Sequence, residues 1–590
     1  MTFRAPVDDL LFVMTHGAGL RQGLEEGVYA DLDDGMAATL LAEAGKFADS
    51  VLAPINNAGD AHGATLANGV VTTAPGWIEA YGHWRDGGWN GVCAPLEHGG
   101  MGLPHLIQAA CLDMWNGANM AFMLAPLLTF GAIDALVAHG SAELQERWLG
   151  KLVSGEWNAT MNLTEPQAGS DLAALRSRAE RADDGTYRIF GQKIYITYGE
   201  HDMTDNIVHL VLARLPDAPA GTRGISLFLV PKFLPGADGA PGARNDLRCT
   251  GLEHKMGIHG SPTASMSFGD NEGAVGWIIG EENRGLACMF TMMNAARLGV
   301  GLQGVGIGER AFQQALAFAS ERRQGKSERH TGAGMSPILH HPDVRRMLIT
   351  MKALTQAARV ICYMTADSLA RAHRLADPQA RQAAAERAGL LTPVAKAFST
   401  DIGNEVASLG VQVHGGMGYI EETGAAQHLR DARIAAIYEG TNGVQAIDLV
   451  TRKLGLSGGA AIRAEVADMR GVVAQAQAAG GAFATMAAPL GEALDALERA
   501  VAFLAAAPAQ VALAGATPFL RLFALTRGGA GLAMLALAAQ REDPSDPAGR
   551  IALAQFFAQN IASGAPALET AIVQGHESVL ESDAALGLSV

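Results

Sequence analysis

Apolar spacing changes character twice along this chain, and that double switch limits its fold more than any other feature. From about residue 35 to 138, MAATLLAEAGKFADSVLAPIN and LIQAACLDMWNGANMAFMLAPLL repeat apolar residues every three or four positions, which predicts helices. Between them, WNGVCAPLEHGGMGLP carries too much Gly and Pro for an element interior. Near Asn158 the pattern becomes short β-branched and aromatic runs, YRIFGQKIYITYG, NIVHLVLARL, GISLFLVP and TASMSFGDNEGAVGWIIG, separated by Gly, Pro and Asp. After Gly285 helical spacing returns, broken by ERRQGKSERHTGAGMSPILHHP and HGGMGY. Past a Gly/Ser linker, TRKLGLSGGAA, Ala-rich amphipathic stretches such as LGEALDALERAVAFLAAA follow.

The expected plan is mainly α with a central antiparallel β domain. It comprises an N-terminal extension (1–34), a helical domain (35–160), the β domain (161–280), a helical bundle (281–455) and an extra helical domain (456–590). Strands do not alternate with helices, which argues against a doubly wound dinucleotide-binding domain. A chain of 590 residues, 49% hydrophobic and 18% charged, has enough apolar material for several folded units.

Charge and cysteine usage narrow the function classes. With 44 basic and 60 acidic residues the chain carries −16, spread without a Lys/Arg cluster, a field that repels phosphate backbones and anionic membranes. An anionic cofactor therefore requires a local basic pocket. The five cysteines, Cys93, Cys111, Cys249, Cys288 and Cys362, show neither CxxC nor metal-ligand spacing, as expected of reduced thiols in a cytoplasmic protein. The start, MTFRAPVDDLLFVM, lacks a signal-peptide pattern, and no apolar run is expected to reach the roughly 18 residues of a membrane span.

Several segments have both a bland and a chemical reading. GLQGVGIGE (301–309) imitates a dinucleotide fingerprint but lies in a helical pattern, so Gly301, Gly304 and Gly308 are better read as permitting close helix approach. MNLTEPQAGSD (161–171) is an ordinary turn, or a segment offering backbone N–H groups to a planar heterocycle or an oxyanion. In QKIYITYG, Tyr195 and Thr197 alternate with Ile194 and Ile196 and are expected on one strand face, as a solvated pair or as a wall beside a ring system. Gly415 and Gly416 form a plain turn or a close approach to phosphate. Glu439, between IAAIY and Gly-Thr-Asn, is a helix-end surface residue or a carboxylate whose apolar neighbours raise its proton affinity.

Taken together and in order, LTEPQAGSD, GQKIYIT, KMGIHGSPT, QVHGGMGY and RDARIAAIYEGTNG resemble the acyl-CoA dehydrogenase family over roughly residues 35 to 450. The FRAP start, the helical tail and the length are similar to its long subgroup, which holds 3-(methylthio)propanoyl-CoA dehydrogenases and long bacterial fatty acyl-CoA dehydrogenases. The resemblance implies that FAD accepts a hydride from an acyl-CoA, that the product is a trans-2-enoyl-CoA, and that electrons pass to an electron-transferring flavoprotein.

It also implies site residues. Met161, Leu163, Thr164 and Gly169 belong to the loop on the flavin, with Ser170 touching the CoA portion of the substrate. Tyr195, Ile196 and Thr197 match the strip against the isoalloxazine. Arg322 matches the residue that binds the FAD pyrophosphate of a neighbouring subunit, and Gln412, Gly415 and Gly416 a second strip on FAD. Gly440, Thr441 and Asn442 match the adenine side, Gly440 also touching substrate. Asn294 and Arg297 match the substrate end of a helix, with Asn where the family often has Asp, and Glu439 matches the catalytic base. In a minority of members the base comes instead from the position of Ala296, where alanine cannot serve. SERHTGAGMSP lengthens a usually shorter segment, and Pro342 stands where Gln is usual.

FAD straddles two chains in this family, so a dimer is the smallest expected unit, and the extra domain is expected to cover the surface that smaller relatives use to form tetramers. The alternatives are an acyl-CoA oxidase and a flavin-containing, nucleic-acid-associated relative, the latter disfavoured by the net charge.

Overall fold

The computed structural model describes residues 3–32, 34–236, 238–542 and 547–587. Helices α1 (Val7–Gly17) and α2 (Asp34–Phe47), with the short helix Leu20–Glu25 between them, precede a long α3 (His105–His139). The stretch expected as an extension is stitched to the bundle. Phe3 is buried, and Tyr29 donates to Asp367 at 2.6 Å.

α3 is broken at Asn119, whose φ of −158° and ψ of 90° are non-helical. The Asn119 side chain accepts from the Phe122 N–H at 3.0 Å and so restarts the helix as a cap.

Eight strands form the central sheet: β1 (Trp157–Asn162), β2 (Arg178–Arg181), β3 (Tyr187–Thr197), β4 (Asn206–Arg214), β5 (Ile225–Pro231), β6 (Leu247–Leu252), β7 (Thr263–Phe268) and β8 (Ala274–Ile279). Their order is β6-β7-β3-β8-β5-β4-β1, with β2 against β3 and β4. The expectation of a purely antiparallel domain needs correction, because β1 pairs parallel with β4, Trp157 opposite Asn206. An excursion through β2 and β3 separates the two strands in sequence, and such a crossover brings the chain back in the same direction. One face of the sheet packs on α3 and the following bundle helix, and the other closes a smaller core with Val71 of the hairpin Thr65–Thr72.

The bundle is built on α4 (Gly285–Glu321), α5 (Pro342–Arg374) and α6 (Pro378–His414), with the shorter helix Ala425–Arg433 and the short α7 (Asn442–Asp448). The Asp377 side chain caps α6 by accepting from the N–H groups of Gln379 and Ala380. The glycine stripe of α4 lies at helix crossings. A Cβ on Gly304 would stand 2.2 Å from the Ser399 carbonyl oxygen of α6, and one on Gly308 2.9 Å from the Thr355 hydroxyl of α5. The extra domain, α8 (Ala460–Ala479), α9 (Gly481–Ala506), α10 (Ala516–Glu542) and α11 (Pro547–Asn560), shares one continuous core with the bundle. Glu465 of α8, buried, bonds both Arg387 of α6 at 2.8 Å and Arg527 of α10 at 3.0 Å.

Contrary to expectation, α3, α4 and α10 are each long and apolar enough to cross a membrane. Those windows are 89, 61 and 94% buried inside the protein, so their apolarity serves the helical core.

Candidate active site

Glu439 sits in a turn between the short helical turn Ile434–Ala436 and α7, and its backbone is left-handed, with φ 55° followed by Gly440 at 83°. A non-glycine residue held there costs about 1–3 kcal/mol and persists only where the surroundings impose it. Thr441 closes the turn as the cap of α7, accepting from the Val444 N–H at 3.2 Å. Glycine suits 440 because its φ of 83° strains any L side chain, and a Cβ there would also stand 2.7 Å from the Gln445 side-chain nitrogen, itself 3.4 Å from the carbonyls of Glu439 and Gly440. On the other side Tyr438 donates to Gln303 of α4, fixing the approach to the turn.

Burial pushes the Glu439 carboxyl up to about 7, and the charges of Arg297 and Lys396 only partly oppose it. A carboxylate so tuned accepts a proton readily near neutral pH. Arg297, buried on α4, donates to Asn294 at 3.4 Å and lies 3.9 Å from the Asp448 carboxylate, and its Nε has no partner among the described residues. These contacts bring the expected substrate-end residues and the expected base to one place.

The 161–170 segment leaves the end of β1 and is held by a buried pair. Lys193 of β3 donates to Glu165 at 2.8 Å and to the Leu163 carbonyl at 3.0 Å, while the Ile194 N–H bonds the Thr164 carbonyl at 3.0 Å. Glu165 also accepts from the N–H groups of Arg176 and Ser177. Met161 packs in one cluster with Leu163, Met292 and Ala296, which ties this segment to the substrate end of α4. Gly169 and Ser170 are exposed, with open space where a Cβ on Gly169 would lie.

The expected alternation on β3 is interrupted by a bulge at Tyr195. Against β7 the register slips between Ile196 and Lys193, leaving one extra residue, and Tyr195 takes φ 60°. This bulge turns the Tyr195 ring outward, 60% exposed, instead of letting it share a simple face with Thr197. Ile196 is 2% exposed, packed in the sheet core, so only its backbone faces outward. Asn442 is anchored to the bundle. Its side chain is taken up by α6, bonding the Ala397 carbonyl, Thr400 and Asp401 and accepting from Lys396 at 2.9 Å.

Arg322 and the 412–416 strip gather elsewhere. Arg322 caps the end of α4 and is exposed, beside the end of α6, where Phe318 stacks on His414 at 4.5 Å. Gly415 and Gly416 have nothing within 4 Å of a would-be Cβ, leaving their backbone open to close approach. At 1.5 Å per residue this end of α6 lies about 27 Å from Lys396, and Arg322 about 38 Å along α4 from Arg297. The structure therefore separates the expected cofactor residues into two groups within one chain.

Four family models match the chain: "Acyl-CoA dehydrogenase, N-terminal domain" at residues 37–156, "middle domain" at 160–271, "C-terminal domain" at 283–454, and "Acetyl-CoA dehydrogenase C-terminal like" at 461–583. A curated relative, 3-methylmercaptopropionyl-CoA dehydrogenase of Ruegeria pomeroyi, is 46% identical over 98% of this chain and 99% of its own. This chain belongs to the acyl-CoA dehydrogenase family.

As an acyl-CoA dehydrogenase it is a flavin enzyme with FAD as cofactor. The exposed Tyr195 ring, the anchored 161–170 backbone and the uncrowded glycines fit a flat ring system bound largely by main chain. Two solved structures share the whole fold. Caenorhabditis elegans ACDH-11 matches with TM-score 0.78 at 21% identity over 95% of this chain and 91% of its own, and a Bacillus anthracis acyl-CoA dehydrogenase complexed with FAD with 0.73 at 20% over 95% and 93%.

Reading by sequence missed the residues that build the Glu439 turn from a distance: Lys396, Gln303, Gln445 and Asp448. The one signal available was Lys396 itself, a lone cation amid the apolar TPVAKAF of a buried helix, where Lys is rare unless partnered.

Proposed function

We propose that Glu439 is the base of an FAD-dependent α,β-dehydrogenation of an acyl-CoA thioester. The observation that carries this reading is a carboxylate set in an imposed left-handed turn, with its proton affinity raised by burial, beside Arg297 on the helix that meets the 161–170 segment. Glu439 takes the weakly acidic proton next to the thioester carbonyl, a transfer that proceeds only if charge developing on the thioester oxygen is stabilised as it forms. By family analogy the Glu439 backbone N–H is one donor to that oxygen, and the close Gly440 turn holds it in place. Asn294 and Arg297 bound the substrate end, and Ser170 faces the CoA portion. Bound FAD supplies the hydride acceptor.

The likeness to the Ruegeria pomeroyi enzyme across nearly the entire chain favours 3-(methylthio)propanoyl-CoA as substrate, with short fatty acyl-CoA thioesters next. An electron-transferring flavoprotein is the proposed electron acceptor, and a dimer the proposed unit. The distance between the Glu439 group and the Arg322–Gly416 group supports the dimer, because residues so far apart in one chain are better suited to serve two cofactors.

The test is Glu439→Gln in the holoenzyme. It retains FAD and loses nearly all dehydrogenation, and near-normal turnover overturns the assignment.

A further inference from the structure

Lys396 is buried in the middle of α6, a chain segment distant from Glu439 in sequence, yet it is directed at the catalytic turn. Its Nζ donates to the Gly440 carbonyl at 2.8 Å and to the Asn442 side chain at 2.9 Å. Both acceptors are neutral, so no carboxylate hydrogen-bonds this ammonium group among the described residues. Burial drives its own affinity for protons down, to about 8, and the nearby Glu439 and Asp401 charges oppose that change. A buried ammonium that lacks a directly bonded counter-ion is an expensive choice for a helix that could carry Met or Leu there.

Its surroundings show what it does instead. The turn at 439–440 is left-handed at two consecutive residues, and Lys396 grips the carbonyl at its centre. Asn442, held by Ala397, Thr400 and Asp401, keeps the next residue of the turn against the same helix.

We propose that Lys396 is a positioning residue for the reaction, pinning the turn that aims Glu439 and supplying a counter-charge that keeps this carboxylate an ionised base once substrate has excluded water. The proposal rests on the reading of Glu439 as the base. The charged and titratable groups around Glu439 are Arg297 from α4, Lys396 and Asp401 from α6, Tyr438 beside it, and Asp448 with Arg452 beyond the turn. Of the two cations Arg297 acts more strongly on Glu439 but is shared with Asp448, whereas Lys396 hydrogen-bonds the turn itself and so joins a charge to the position of that turn.

The experiment compares Lys396→Gln and Lys396→Met with the wild-type holoenzyme and with Glu439→Gln. Gln retains a donor for the Gly440 carbonyl but no charge, so it separates geometry from electrostatics. Two readouts are taken across pH 5.5–9.5: the kcat/KM profile, and the deprotonated fraction of a bound 3-thiaacyl-CoA, which loses its α-proton but carries no hydrogen on the sulfur that replaces its β-carbon. Lys396→Gln is expected to lower kcat about tenfold with KM within about threefold, and to move the acidic limb and the analogue titration upward by about one pH unit. Lys396→Met adds a further loss of kcat through the loosened turn, and a failure of Met to fold leaves the charge question to Gln. An unmoved limb and titration in Lys396→Gln overturn the proposal, whatever the fall in rate. Near-normal turnover of Glu439→Gln would instead defeat the reading beneath it.

Discussion

Lys193 and Glu165 form an ion pair of 2.8 Å with both side chains withdrawn from solvent, and this pair fastens the 161–170 segment to β3. Burial alone would raise the Glu165 carboxyl. The Lys193 charge, its hydrogen bond and the N–H groups of the 176–177 backbone reverse that and hold the carboxyl down to about 2. The pair thus builds the backbone path expected to face the flavin, although neither residue is expected to touch it.

Breaking this pair leaves a buried charge uncompensated. Lys193→Met is expected to destabilise the protein by about 3–5 kcal/mol and to lower the flavin-to-protein ratio of the purified enzyme. Chemical denaturation and the visible spectrum check both. Because the folded carboxyl is depressed, its stabilisation is complete above about pH 4.5 and is lost as pH falls toward about 2. In the variant Lys193 no longer opposes burial, so the Glu165 carboxyl should rise and the destabilisation relative to wild type should shrink as pH falls.

Glu439 behaves in the opposite sense. Its carboxyl binds a proton more tightly in the folded chain, near 7 against an ordinary 4.5, so kcat/KM should rise with pH through about 7 and then level off. The same shift means that the ionised form opposes folding, a penalty present above about pH 7 and gone below about pH 4.5. Glu439→Gln should therefore raise Tm at pH 8 while leaving it unchanged near pH 4. A Tm gain independent of pH would contradict this account.

Gly304 packs directly on the α6 backbone. Gly304→Ala places a methyl group 2.2 Å from the Ser399 carbonyl oxygen, and a main-chain atom cannot swing aside. The expected cost is about 1–3 kcal/mol, despite the better helix propensity of Ala, measured as a shift in urea midpoint. Stabilisation would show that α4 and α6 separate easily.

The extra helices α8–α11 share their core with the bundle and are locked through Glu465 to Arg387 and Arg527. If this domain covers the face that smaller relatives use to form tetramers, light scattering should give the mass of a dimer near twice 61.4 kDa. A tetrameric mass excludes that role.

A panel of thioesters assayed with an artificial electron acceptor should place 3-(methylthio)propanoyl-CoA and short acyl chains ahead of chains of about sixteen carbons. The reverse order would assign the chain to the fatty acyl branch of its subgroup.

Much of this was legible in the amino-acid order, because the relevant physics is local. Helical spacing in MAATLLAEAGKFADS, the strand-and-turn rhythm of 186–280 and the glycine stripe of α4 each follow from which residues share a face within a few positions. The signature segments likewise pointed to Glu439, and the family resemblance to Arg297, which the fold then brings together. Tertiary packing decided the rest. Whether the apolar windows of α3 and α10 met lipid or a protein core depended on partners remote in sequence. The bulge at Tyr195, with its left-handed backbone, arises from register with β7. Lys396 acquired a role only when α6 passed beneath the Glu439 turn, since an electrostatic field depends on distance through space and not on position along the chain.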